Sequence, residues 1–210
     1  MSSLYEANRP DTFDALVGQE RACKVLSRLS LGGRAFWITG SSGTGKTTLA
    51  RIIASKVAES WSTYETDGER FGPGELTELE AGCRFRPLGR GIAWIVDEAH
   101  RLKPSAIARL LTILEWLPEW VSIVFTTTSE AQESLFDGKL DASPLLSRCL
   151  PIKLARRGLK KPFAIRCREI AIAAGLDGKP IGDYEKLAVR CKNNLRAMLQ
   201  EVEIGSMRES

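Results

Sequence analysis

Short, nearly continuous apolar runs alternate with stretches whose apolar residues recur at helical spacing through most of this 210-residue chain. Ala35–Thr39 (AFWIT), Ile92–Val96 (IAWIV) and Val121–Thr126 (VSIVFT) read as strands buried on both faces. Leu150–Leu154 reads as a further strand, and Ser62–Thr66 has weaker strand character. A helix is predicted over about Gln19–Leu31, with Val25, Leu26 and Leu29 on one face and Gly32-Gly33 ending it. A second runs from Thr47 to about Glu59 and carries Leu49, Ile52, Ile53 and Val57 at helical spacing. A third opens at Lys103-Pro104, buries Ile107, Leu110, Leu111 and Leu114, and closes at Pro118. The pattern is poorer from Trp61 to Gly91. Residues 67–91, rich in Gly, Glu and Arg, predict a loop with at most one short helix near Glu75–Gly82. Residues 131–142 form a polar excursion.

Beyond this the pattern changes. Arg156-Arg157-Gly158-Leu159-Lys160-Lys161 is a basic linker, and three helices are predicted after it. The first spans Pro162 to Gly175, with proline in a favourable first-turn position and glycine as terminator. The second carries Tyr184, Leu187, Ala188 and Cys191 on one stripe. The third, capped by Asn193 or Asn194, carries Leu195, Met198, Leu199 and Val202. Strands alternating with helices give an α/β domain over residues 1–156 with a three-layer α/β/α parallel sheet. Residues 157–210 form a small helical domain.

Composition adds bounds. A content of 43% hydrophobic and 27% charged residues is that of an ordinary globular protein. No apolar run is long enough to span a bilayer, and MSSLYEANRP lacks the apolar core of a secretory signal, so a cytoplasmic location is expected. The five cysteines Cys23, Cys83, Cys149, Cys167 and Cys191 are scattered and never form a C-x-x-C pair. That favours free thiols over disulfides or a zinc site. A net charge of +4 permits nucleic-acid binding without demanding it. Arg84, Arg86 and Arg90 cluster in a segment that suits a solvated basic loop as well as a nucleic-acid contact.

The chemistry concentrates at two strand ends. Gly40-x-x-x-x-Gly45-Lys46-Thr47, between a strand and a helix, is the phosphate-cradling loop of nucleoside triphosphatases. Its glycines, Gly43 among them, leave backbone N–H groups free to turn inward, and the helix N-terminus adds partial positive charge. Lys46 would neutralise the outer phosphates and the Thr47 hydroxyl would join Mg²⁺. About 50 residues on, the strand Ile92–Val96 ends in Asp97-Glu98-Ala99-His100, where ligands bind in open α/β sheets. Asp97 would be the second magnesium anchor, and Glu98 could polarise an attacking water. For His100, the only histidine, a structural or surface role is expected. Thr127, Thr128 and Ser129 end the neighbouring strand, where a polar side chain could hold the same water.

With these residues together, the chain resembles the AAA+ ATPases, and within them the clamp-loader group, over nearly its full length. Arg9-Pro10-x-x-Phe13-x-x-x-Val17-Gly18-Gln19 is similar to the N-terminal box that lies against adenine. His100-Arg101-Leu102 with Ala106, Leu110, Leu111, Leu114 and Glu115 resembles the helix after the Asp-Glu pair. Phe125-Thr126-Thr127-Thr128 matches the sensor-1 strand end, and Thr128 aligns best. Ser147-Arg148-Cys149 resembles the motif carrying an arginine finger, and Asn194-Leu195-Arg196 the sensor-2 motif of a helical lid. The resemblance implies ATP and Mg²⁺ as ligands. Nucleotide would be held by Arg9, Pro10, Val17, Gly18, Ser42, Gly43, Thr44, Gly45, Lys46, Thr47, Thr48 and Arg196, and metal by Thr47 and Asp97. Glu98, Thr128, Lys46 and Arg148 would act in catalysis, Arg148 on a neighbouring subunit's nucleotide.

The implied partners are other AAA+ subunits, as a homo- or hetero-oligomer, together with DNA and a sliding clamp or other replication protein. Arg101, Lys103 and Arg109 are candidate DNA contacts, although a solvated helix face suits any one of them better. The implied location is cytoplasmic, nucleoid-associated in a bacterium or phage. Departures from the group are the want of a collar domain, of a cysteine-rich zinc module (only Cys83 falls in that region), and of a good match over Trp61–Gly91. Two alternatives follow: a different AAA+ motor, such as a branch-migration or helicase-loading ATPase, and a non-hydrolysing ATP-binding subunit of a larger assembly. A two-domain helicase, suggested by Asp-Glu-Ala-His, needs more chain than is present.

Overall fold

The computed structural model describes residues 3–128 and 143–208. Five parallel strands form one sheet: β1 (Arg34–Thr39), β2 (Thr63–Asp67), β3 (Ile92–Asp97), β4 (Val121–Thr127) and β5 (Leu150–Lys153), in the spatial order β2-β3-β4-β1-β5. Successive side chains of a strand point to opposite faces, and these strands supply a separate core to each. Ala35, Trp37, Trp94, Val96, Ile123 and Phe125 face α4 (Pro73–Arg84), α5 (Pro104–Glu115) and the short α6 (Ser143–Ser147). Phe36, Ile38, Ala93, Ile95 and Val124 face α2 (Glu20–Leu26) and α3 (Lys46–Val57). The central strands are therefore continuous apolar runs because both faces are covered.

Two elements differ from the pattern-based expectation. Residues 67–91 hold a 12-residue helix, α4, opened by Pro73 and burying Leu76, Leu79 and Cys83. Glu75 reaches back to the Gly72 N–H at 3.0 Å, closing its first turn. The expected short helix covers only its middle. α2 is shorter than predicted and turned differently, since it buries Ala22, Cys23 and Leu26 while Val25 is 46% exposed. Within the basic segment, Arg90 pairs with Glu59 at 3.1 Å and Arg86 lies 4.0 Å from Glu119.

The third core is helical. α7 (Lys160–Ala173), α8 (Ile181–Arg190) and α9 (Leu195–Glu203) bury Phe163, Cys167, Tyr184, Leu187, Met198 and Val202 against one another. Asn194 is the cap of α9, its side chain accepting from the Ala197 N–H at 3.1 Å. The short N-terminal helix α1 (Leu4–Ala7) packs here too, through Leu4 and Tyr5. The chain's beginning thus rests on its end. The polar stretch 131–142 lies outside the described residues. Among the described residues, no helix is long and apolar enough to cross a membrane.

Candidate active site

In a parallel sheet, loops at the carboxyl ends of the strands gather on one side, and ligands bind where neighbouring strands diverge. Here β1 ends at Thr39 opposite Thr127 of β4, and β3 ends at Asp97 beside it. The loop after β1 turns into α3 through Gly43 (φ +72°) and Gly45 (φ +100°), conformations that L-residues rarely adopt. Gly45 is the N-cap of α3 and Lys46 its first residue, so the loop's N–H groups and the helix dipole converge.

Behind that loop, Thr47 and Asp97 meet from 50 residues apart, the threonine hydroxyl lying 3.1 Å from Oδ2 of the carboxylate. Oδ1 of Asp97 accepts the Thr126 hydroxyl at 2.6 Å. Burial pushes the Asp97 carboxyl above its ordinary range, while these two hydroxyl donors pull the other way. Lys46 is only 9% exposed, and its ammonium donates to the Ser41 carbonyl at 3.1 Å.

Glu98 follows Asp97 in the left-handed region, φ 51°, unusual for a side-chain-bearing residue and a mark of functional sites. Its carboxylate lies 3.4 Å from His100 Nδ1, which is also 3.1 Å from the Thr127 hydroxyl. His100 thus sits beside the catalytic candidate instead of on plain surface.

A cleft of about 510 Å³ opens over these groups. It is lined by Arg9, Pro10, Val17, Ser42, Gly43, Thr44, Gly45, Lys46, Thr47, Thr48, Asp97, Glu98, Thr128 and Arg196, nearly all the residues expected from sequence. Phe163, Ile170 and Leu199 of the helical core add an apolar wall. Two expected residues lie elsewhere. Gly18 (φ +79°) is pressed against the helical core, where an added β-carbon would stand 2.6 Å from Leu159. Arg148 is directed to Glu115 at 2.6 Å and to the Pro144 carbonyl at 3.1 Å, away from this chain's own cleft lining. Of the candidate DNA contacts, Arg101 lies 3.4 Å from Glu69 and Arg109 2.9 Å from Glu80, while Lys103 is exposed.

Sequence reading missed Thr126, which holds Asp97, and Tyr5, which also lines the cleft. Only the fold brings either to the site. Gln19, within the Arg-Pro…Gly-Gln box, is 2% exposed and ties the phosphate loop to the end of the sheet. Its amide spans the Thr44 carbonyl at 3.3 Å and the Ala155 N–H at 2.7 Å.

The donor set fits a magnesium-bound nucleoside triphosphate. An anionic oxygen and a hydroxyl face one another, an ammonium lies over the loop, and Gly43 and Gly45 keep the backbone bare. Among the described residues there is no cluster of three or more His, Cys, Asp or Glu that could hold a metal unaided. Nucleotide oxygens would have to complete the coordination.

Comparison with known proteins gives relatives by sequence and by fold. No family model matches the chain. It is 29% identical to DNA polymerase III subunit gamma of Buchnera aphidicola over 175 residues, covering 70% of this chain and 45% of that protein. It is 31% identical to DNA polymerase III subunit tau of Escherichia coli over 175 residues, 70% of this chain and 26% of that one. The chain thus spans less than half the length of either. Its fold matches the RuvB Holliday junction branch migration motor of Thermotoga maritima with a TM-score of 0.66 and 24% identity, covering 93% of this chain and 64% of RuvB. As the motifs imply, the chain has the AAA+ P-loop fold and is a sequence relative of the gamma and tau subunits of bacterial DNA polymerase III.

Proposed function

We propose that this chain binds ATP with Mg²⁺ in the cleft and hydrolyses it, as one subunit of a clamp-loader-type assembly acting on DNA. The observation that carries the reading is the meeting of Thr47 with Asp97 at 3.1 Å beneath the glycine loop, with Lys46 and Glu98 lining the same cleft. Residues 1–156 are taken as the nucleotide-binding domain and 157–210 as the lid, whose Phe163, Ile170 and Leu199 would cover the base.

Each side chain then has a defined part. The loop N–H groups and Lys46 would hold the β- and γ-phosphates, and Thr47 and Asp97 would hold Mg²⁺, which would supply positive charge against the phosphate oxygens. Thr126 fixes one Asp97 oxygen and so orients the carboxylate. Glu98 accepts the proton of the attacking water as its oxygen bonds to the γ-phosphorus and the bond to the β-phosphate oxygen breaks. Thr128 holds that water, and Arg196 meets the γ-phosphate from the lid. Arg148 is directed away from its own cleft. That supports a role toward a neighbouring subunit's nucleotide, where an arginine finger stabilises charge in trans. DNA replication or repair is the setting that the gamma and tau relatives suggest, with a sliding clamp or another replication protein as partner.

The test is ATP hydrolysis by the purified chain beside Glu98→Gln. A loss of about a hundredfold or more with nucleotide binding retained supports the assignment. Equal rates in the two proteins would remove Glu98 from the mechanism, and binding without turnover in the wild type would favour a non-hydrolysing subunit.

A further inference from the structure

Tyr5 lies between two arginines that come from different parts of the fold. The guanidinium carbon of Arg9 is 4.7 Å from its ring centroid and that of Arg196 is 4.6 Å. Arg196 also donates to the Tyr5 hydroxyl at 3.1 Å. Two cations would ordinarily repel one another at such proximity. The negative face of the ring, together with Glu6 on Arg9, offsets that repulsion. Both arginines line the nucleotide cleft, and so does Tyr5.

The anchoring is two-sided. Arg9 donates to the Thr48 hydroxyl of α3 at 3.2 Å, so it is tied to the helix that carries the phosphate loop. Arg196 belongs to α9 of the helical domain, and the Leu4 N–H beside Tyr5 donates to Glu203 of the same helix at 3.1 Å. Tyr5 therefore touches both the cation tied to α3 and the cation of α9.

We infer that Tyr5 is a positioning residue, whose ring holds Arg9 and Arg196 at the mouth of the cleft in the arrangement that receives a nucleotide. This rests on the nucleotide-binding reading above. Pre-placing two long cations spares their ordering when the anion arrives, so the gain shows as affinity. Because Arg9 is fixed to α3 and Arg196 to α9, the same ring couples lid position to occupancy of the phosphate loop.

The test is binding of Mg²⁺·ATP to the full chain by titration calorimetry, with thermal unfolding of each variant measured alongside. Tyr5→Ala is expected to weaken binding about tenfold with little change in its ligand-free melting temperature, and Tyr5→Phe, which keeps the ring, to stay within about threefold of wild type. In an Arg196→Ala background, Tyr5→Ala should cost clearly less than it does alone, because the two effects share one contact. Unchanged binding in Tyr5→Ala, or the same loss in both backgrounds, overturns the proposal. If Tyr5→Ala melts early, the comparison of Tyr5→Phe with Tyr5→Leu decides it, since only the former keeps an aromatic face; equal affinities there would also overturn it. Failure of the wild type to bind Mg²⁺·ATP would instead overturn the nucleotide-binding reading, and this inference with it.

Discussion

The side-chain oxygen of Asn194 occupies the space that a β-carbon on Gly43 would need: an added methyl would stand 1.8 Å from it. The same asparagine caps α9, and the next residue's N–H, Leu195, lies 3.4 Å from the Gly43 carbonyl. The start of α9 is thus seated directly on the phosphate loop. Two left-handed residues, Lys192 (φ 52°) and Asn193 (φ 55°), turn the chain so that the cap can reach it.

Gly43→Ala should therefore fail twice, through its positive φ and through the collision with Asn194. The backbone conformation alone costs about 1–2 kcal/mol for a residue with a β-carbon. We expect nucleotide affinity to fall more than about tenfold, with increased amide exchange in the first turn of α9. Hydrogen exchange and calorimetry on the variant check both.

Asp97 carries a half-buried charge that a cation would offset. Its carboxyl is held above the ordinary value, so the native chain retains a proton that the unfolded chain releases in that interval. By linkage, stability is then greatest below the unfolded value of roughly 3.9 and falls as pH rises through the raised native one. Asp97→Asn should accordingly melt above wild type at neutral pH without ligand, and the difference should close as pH falls toward that value. The same variant should lose the further rise that Mg²⁺·ATP gives the wild type. Melting curves across pH, with and without ligand, test each part.

The thiols offer a check on the packing. Burial pushes Cys149 and Cys167 up to about 12, and Cys23 and Cys83 to about 11, whereas Cys191 is only half-buried. Since the thiolate is the reactive form, a thiol reagent at pH 8 should modify Cys191 first and leave the other four until the chain unfolds. Mass mapping of labelled peptides reads this out. Early labelling of Cys149 would contradict the seating of α6 against the sheet.

Arg148 gives a prediction that depends on assembly. Its pair with Glu115 is at the surface, where such pairs contribute about 1 kcal/mol or less, so the arginine can leave it readily. Arg148→Ala should keep fold and ATP binding while lowering hydrolysis by about a thousandfold in an oligomer. In the isolated monomer it should change the rate little. Hydrolysis measured alongside mass by light scattering separates the two cases.

Much of the cleft was legible in the sequence because its signals are local. A continuous apolar strand, glycines at fixed spacing and a lysine opening a helix leave few structural solutions for residues 35–57. The acidic pair at the end of Ile92–Val96 was equally plain. α4 was only half visible because Gly74 and Gly82 interrupt its apolar stripe. Gly82 packs against Ile92, whose terminal methyl would have to shift for a β-carbon there, a tertiary contact that the local pattern does not reveal. The exposure of Val25 and the roles of Thr126 and Tyr5 are of the same kind. They depend on what a distant segment places opposite, and no periodicity encodes that.

The measurement bearing most directly on the account is calorimetric titration of the chain with ATP and Mg²⁺, in wild type and in Lys46→Ala. We expect one site per chain in the wild type and a loss of about a hundredfold or more in the variant, since Lys46 is the cation that would meet the outer phosphates. A wild type that binds no nucleotide, or a variant that binds it equally well, would contradict the assignment of the cleft.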